Sequence, residues 1–209
     1  MTDEFPVVAP RLRDEHLAST DRRGTTQIYQ IDIAAEPERI WEAITDPDWT
    51  ARYGYGGRAL VEPRVGGRYL VEKPPNLLVA TGDASGDAVD GSSGGSGNAV
   101  PAPDIIIEGV VTAYDPPRLL ATRLRFLVDP DTAAEPATEV RYEIERLTDA
   151  RSRLTVTHEL RGAPRLAAVV SGKLEHLGAG GGHPLMLNDL KNLLETGHTL
   201  REGRGQGGH

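Results

Sequence analysis

The chain has no cysteine, which removes disulfide frameworks, thiol nucleophiles and thiolate metal sites together and fits a cytoplasmic protein. It has no excess of positive charge either. Its 23 Lys plus Arg stand against 31 Asp plus Glu, a formal charge of -8, so a phosphate backbone is repelled and nucleic acid is not expected as a partner. Arg11 to Arg13 and Arg22-Arg23 are interleaved with Asp14, Glu15 and Asp21, the pattern of a solvated arm rather than a binding patch. No window approaches the ~18 apolar residues of a membrane span, and the N-terminus lacks the apolar core of a signal peptide. A soluble protein without a membrane partner is expected.

Several chemistries are missing too. No serine stands at nucleophile-elbow spacing, so a Ser-His-Asp mechanism has no support. His176 and His183 lie seven apart across a glycine run, while His198 and His209 fall near the end of the chain. None of these has a usual zinc spacing. The Gly178 to Gly182 run precedes a helix start but lacks the Lys-Ser/Thr ending of a phosphate-binding loop, and reads as a hinge. Asp83, Asp87 and Asp90 do not match a calcium loop, and Gly94-Gly95-Ser96-Gly97-Asn98 is one copy of a repeat-type calcium motif. No cofactor or metal is expected, and there is no internal repeat.

What is present is organised around one stretch, His183 to Gly197. Met186, Leu190, Leu193 and Leu194 fall at i, i+4, i+7 and i+8, an apolar stripe that Leu187 widens, with Asn188, Lys191, Asn192 and Glu195 on the other side. Pro184 suits the first helical turn and Gly197 the left-handed residue that closes a helix. A helix of about 13 residues with one greasy face needs a large apolar partner.

Upstream, almost everything reads as strand. Residues 1 to 25 have no sustained period and form an N-terminal arm. Thr26 to Ala34 alternates, with Tyr29, Ile31 and Ile33 on one face. Glu36-Pro37-Glu38, followed by Ile40, Trp41 and Ile44 at helical spacing, gives a short helix, and Asp48 to Tyr53 a second. Arg58 to Glu62 and Arg68 to Glu72 form a hairpin across Pro63 to Gly67. Residues 74 to 103 are rich in Gly, Ser, Asp and Pro and bury too little to order themselves, so they read as a flexible insertion rather than a domain linker. Ile105 to Tyr114, Leu119 to Val128, Thr138 to Leu147 and Arg153 to Leu160 follow as successive strands joined by short turns, hence antiparallel neighbours. Pro164 to Leu177 carries Leu166, Val169, Val170 and Leu174 at helical spacing. Residues 201 to 209 are a tail, and residues 26 to 200 form one domain.

This order resembles the helix-grip fold, also called START-like or Bet v 1-type: an α+β fold with a curved antiparallel sheet wrapped around a long C-terminal helix. The residues make the likeness more specific. Glu36 to Pro47, Val65-Gly66-Gly67-Arg68-Tyr69, Tyr114 to Leu119, Leu154 to Glu159 and Leu190 to Gly197 resemble, in order, motifs of the C-terminal-domain family of the Hsp90 ATPase activator Aha1. The likeness spans residues 26 to 197. Where many members carry Gly-Trp-Pro at the helix entrance, this chain has Gly182-His183-Pro184, and its 74 to 103 loop is longer. Both differences fall near the expected cavity mouth.

The resemblance implies a cavity between sheet and helix that binds a small hydrophobic molecule. Alternation places Tyr29, Thr122, Phe126, Tyr142, His158 and the helix stripe on inward faces, which gives mostly apolar walls with a few polar groups. A filled core would have the same pattern. Trp49, Tyr53 and Tyr55 cluster beside Arg52; core packing is the default for Trp49, and the tyrosines suit the cavity entrance. The candidate ligand-binding set is Tyr29, Trp49, Tyr53, Thr122, Phe126, Tyr142, His158, His183, Met186 and Leu190. His183 is expected at the cavity mouth or in solvent. His158 is the candidate catalytic residue, since an inward neutral imidazole can act as a general base, although a structural histidine satisfied by a neighbouring Thr, Tyr or carboxylate is the default reading. Binding of a hydrophobic or aromatic molecule is the leading expectation. A polyketide cyclase or aromatase-like enzyme is the second. An Hsp90-type chaperone partner with a stress-response role is the third, disfavoured because residues 1 to 25 leave no room for the eukaryotic activator's additional N-terminal domain. A homodimer is a family-level expectation.

Overall fold

The computed structural model describes residues 25–74, 104–174 and 181–200 in full, and the strand pairing of 19–20, 78–80 and 99–101. In β2 (Thr26–Ile33) buried and half-buried residues alternate without exception, as they must in a strand with one face on a core. Its partner β10 (Arg151–Glu159) alternates in phase, so that Leu154 lies opposite Ile31, Val156 opposite Tyr29 and His158 opposite Gln27. β9 (Thr138–Thr148), β8 (Leu119–Phe126), β7 (Ile105–Asp115), β4 (Arg68–Glu72) and β3 (Arg58–Val61) continue the sheet. With the short β1 (Ser19–Thr20) at the other edge, the order is β1-β2-β10-β9-β8-β7-β4-β3, antiparallel at every pairing. Register shifts within β4–β7 and β7–β8 act as bulges and increase the local bend of the sheet.

Helix α5 (Gly182–Thr196) fills the concave side. Leu187, Leu190 and Leu193 are buried in the main core with Ile31, Ile33, Leu154 and Val156, and each such side chain contributes about 1.5–3 kcal/mol by leaving water. Polar contacts fix the helix against β2: Lys191 Nζ donates to Asp32 O, and the Ala34 amide donates to Glu195 at 2.8 Å. Gly197 closes the helix in the left-handed region, φ 81, with its N–H on Leu193 O at 2.9 Å. The helix begins at Gly182, earlier than Pro184 suggests. Gly182 has φ 64 and a Cβ there would lie 2.2 Å from Val170 O, so the last glycine of the run is a required close contact as well as a start signal. Residues 178–180 of the run lie outside the described residues.

The short helices are α1 (Pro37–Thr45), α2 (Pro47–Thr50), α3 (Pro130–Ala134) and α4 (Pro164–Val170). In α1 the buried positions Ile40, Ala43 and Ile44 keep helical spacing, whereas α2 is shorter than Asp48 to Tyr53 because Asp46 caps it one residue early, accepting from Asp48 N and Trp49 N. Helix α3 was not foreseen; Asp129-Pro130 is its signal, an N-cap carboxylate followed by proline in the first turn. Helix α4 is shorter than its apolar period and gives way to a turn at Ser171. Where the composition of 74 to 103 suggested no structure, the structure pairs β5 (Leu78–Ala80) with β6 (Ala99–Pro101) as a separate antiparallel ribbon. Residues 81–98 of that insertion lie outside the described residues, as do 1–18 of the arm and the 201–209 tail.

Candidate functional site

Between the concave sheet, the α1–β3 segment, α4 and α5 lies a cavity of about 380 Å³. Aliphatic side chains supply most of its wall, among them Ile44, Ala59, Val71, Leu124, Val140, Val156 and Leu187. Six candidates from the sequence border it: Tyr53, Phe126, Tyr142, His183, Met186 and Leu190. Tyr29, Trp49, Thr122 and His158 do not. Each of these four has a physical reason. Tyr29 is 3% exposed and lies behind His183, ring centroids 5.1 Å apart, with its hydroxyl donating to Gln27 Oε1. Thr122 is closed over completely, its hydroxyl 3.3 Å from Val140 O. Trp49 is half-buried with the guanidinium groups of Arg39 and Arg52 at 4.0 and 4.6 Å from its ring, a cation-π cluster. His158 is fully buried beneath His183 and Phe126.

Two polar clusters stand out on or just behind the wall. The first is made of tyrosines. Tyr53 comes from the loop after α2, Tyr69 from β4 and Tyr142 from β9, and all three border the cavity. Burial raises each phenol, Tyr69 to about 12, and Tyr69 and Tyr53 are close enough to Tyr142 to push it higher still. All three are therefore neutral hydrogen-bond donors near neutral pH. Tyr53 donates to Ala43 O at 3.3 Å. Neither the Tyr69 nor the Tyr142 hydroxyl has a protein acceptor among the described residues. Tyr69 was not a candidate, although the alternation of Arg68 to Glu72 places it and Val71 on one face.

The second cluster is a chain of three side chains. His158 Nδ1 is 3.1 Å from His183 Nε2, and His158 Nε2 is 2.9 Å from Thr138 Oγ1. Either tautomer order satisfies both links, so both ring nitrogens of His158 are occupied. Burial holds His183 at about 4, and burial together with the neighbouring His183 holds His158 well below the ordinary histidine range. The expectation that His158 itself faces a ligand is corrected: the histidine on the cavity wall is His183, buried at 6% exposure rather than solvent-facing.

The wall is held by contacts that sequence periodicity does not report. Asp189, 2% exposed, accepts from Gly54 N at 2.8 Å and Leu200 N at 2.6 Å, tying α5 to the loop that carries Tyr53. The Tyr55 hydroxyl accepts from Gly182 N at 2.7 Å. On the α4 side Glu135 accepts from the amides of Arg165 and Leu166, and Arg165 pairs with Asp129 at 3.1 Å and Asp131 at 3.6 Å. A shallower depression of about 500 Å³ on the outer sheet face is lined by ionic side chains such as Arg118, Asp115 and Glu143. Among the described residues no group of three His, Asp or Glu is placed to hold a metal, and no helix is long and apolar enough to cross a membrane.

No family model matches the sequence, and no curated protein is recognisably related to it. Solved structures do match. Ms6760 from Mycobacterium smegmatis is 20% identical over 87% of this chain and 97% of its own, with a TM-score of 0.53. CV1439 from Chromobacterium violaceum is 22% identical over 82% of this chain and 97% of its own, TM-score 0.51. PFC0360w, an HSP90 activator from Plasmodium falciparum, is 16% identical over 74% and 97%, but its TM-score of 0.45 is too low to bear on function. These identities show architecture alone. With its curved antiparallel sheet closed around α5, the chain has the α+β helix-grip, START-like fold.

Proposed function

We propose that the chain is a binding module that holds a small hydrophobic or aromatic molecule between the sheet and α5. The observation that carries this reading is the cavity itself. Protein interiors are packed with few voids larger than a water, whereas this one is about 380 Å³, within the roughly 300–1,000 Å³ of small-molecule sites. Its apolar walls with a few inward hydroxyls are the composition such sites have. Catalysis has less to recommend it. His183 is held at about 4, which makes it a weak base near neutral pH, far from the matched value a general base needs.

Nile red, a neutral apolar dye, tests the reading. The native protein should bind it saturably at one site, and Val71→Trp, which projects a large ring from a half-buried wall position, should abolish that site while leaving the thermal transition cooperative. Binding that does not saturate, or that survives in the folded Val71→Trp variant, defeats the proposal.

A further inference from the structure

The unpartnered phenols narrow the class of ligand. Resting on the binding role proposed above, we infer that the cavity selects an uncharged aromatic or polycyclic molecule bearing a carbonyl-type oxygen, of the ketone or quinone class, which accepts hydrogen bonds from Tyr69 and Tyr142.

Two observations lead there. The first concerns donors. Tyr69 is only 7% exposed, borders the cavity and has no protein acceptor among the described residues; Tyr142, half-buried, borders the same space and likewise has no protein acceptor among the described residues. Water can serve both hydroxyls while the cavity is open to it. A ligand that displaces that water must either accept their hydrogen bonds or leave buried donors unpaired, which is the costlier state. A pure hydrocarbon takes the second course and a carbonyl compound the first. The hydroxyls stand on different strands of one face, β4 and β9, so an acceptor carried on a rigid flat frame meets them without losing rotamer freedom of its own.

The second observation concerns charge. Among the described residues the only cationic side chain on the cavity wall is Arg165, and it is paired with Asp129 and Asp131. A carboxylate deep in this space would be a buried charge without a counter-charge, which is strongly disfavoured. The same wall therefore argues against fatty acids and other acids of similar size.

Calorimetric titration of the full chain at pH 7.5 with 9-fluorenone, fluorene and fluorene-9-carboxylate distinguishes these cases, because the three share one flat frame. Fluorenone should bind about tenfold more tightly than fluorene, the difference made by donated hydrogen bonds, and the carboxylate should bind more weakly than either. In a variant carrying both Tyr69→Phe and Tyr142→Phe the fluorenone-to-fluorene ratio should fall to near one. Fluorene binding as tightly as fluorenone, a ratio unchanged in the double variant, or a carboxylate preferred over the ketone overturns the ligand class and leaves the binding role standing. If none of the three binds, the binding role falls and this inference with it.

Discussion

The tyrosine and histidine clusters of the cavity wall have opposite hydrogen-bond economies. Around His158 the fold leaves nothing open: Thr138 and His183 occupy both ring nitrogens, and Phe126 stacks over the imidazole with ring centroids 6.0 Å apart and planes inclined by 28°. Around Tyr69 and Tyr142 the fold buries one ring and half-buries the other, and leaves both hydroxyls without a protein acceptor among the described residues. Polar groups satisfied by the protein hold the architecture, whereas those left open are available to something that is not protein. The contrast can be broken at either end, and the largest effect belongs to the closed cluster. His158→Ala removes a fully buried ring and strands Thr138 Oγ1 and His183 Nε2, so unfolding should become easier by roughly 3–5 kcal/mol. Urea denaturation measures it. A loss below about 1 kcal/mol would mean that the cluster is not structural.

Acid gives the next largest effect. The folded protein keeps His183 neutral down to about 4, while the unfolded chain takes up that proton near 6.5. Between those values the unfolded state binds more protons, so stability falls as pH falls. Above 6.5 the contribution is fully present; by about pH 4 it is gone. For His183 alone the change is on the order of 3 kcal/mol, and His158, depressed in the same direction, adds to it. The rings pack against Tyr29, Phe126 and Thr138, none of which titrates in that window. The carboxylates held low, Asp32, Glu62, Asp129 and Glu195, exert their loss further into acid. Midpoints of thermal unfolding taken from pH 7 to 4.5 should therefore slope downward in the native protein and flatten in His183→Phe. Equal slopes in the two proteins would contradict the burial of neutral histidine.

The fold was legible in the sequence because it is built from periodicities. A period of two gives β2, β9 and β10 directly, and the leucine spacing with Pro184 and Gly197 gives α5. The cavity was legible only by face. Alternation correctly turned Tyr29, Thr122 and His158 inward, but whether an inward side chain reaches open space depends on what the rest of the fold lays over it. His183 covers Tyr29 and His158, and Val140 closes on Thr122. Asp189 escaped for a related reason: its two partners, the Gly54 and Leu200 amides, belong to segments with no period of their own. The Asp129–Arg165 pair depends on the meeting of α3 and α4, across 36 residues of chain.

The smallest effect is the one that separates a satisfied phenol from an open one most cleanly. Tyr29 and Tyr69 are both buried and both have phenols pushed up to about 12, so burial alone predicts similar costs for losing either hydroxyl. Their partners differ. The Tyr29 hydroxyl donates to Gln27 Oε1, and Tyr29→Phe leaves that oxygen buried and unpaired, a destabilisation of about 1–2 kcal/mol. Tyr69 has no acceptor of its own to strand, so Tyr69→Phe should change the stability of the ligand-free protein by no more than about 0.5 kcal/mol, in either direction. Thermal unfolding of the two variants beside the native protein decides it. If Tyr69→Phe costs as much as Tyr29→Phe, the Tyr69 hydroxyl has a structural partner, and its claim to be an open donor for a ligand is lost.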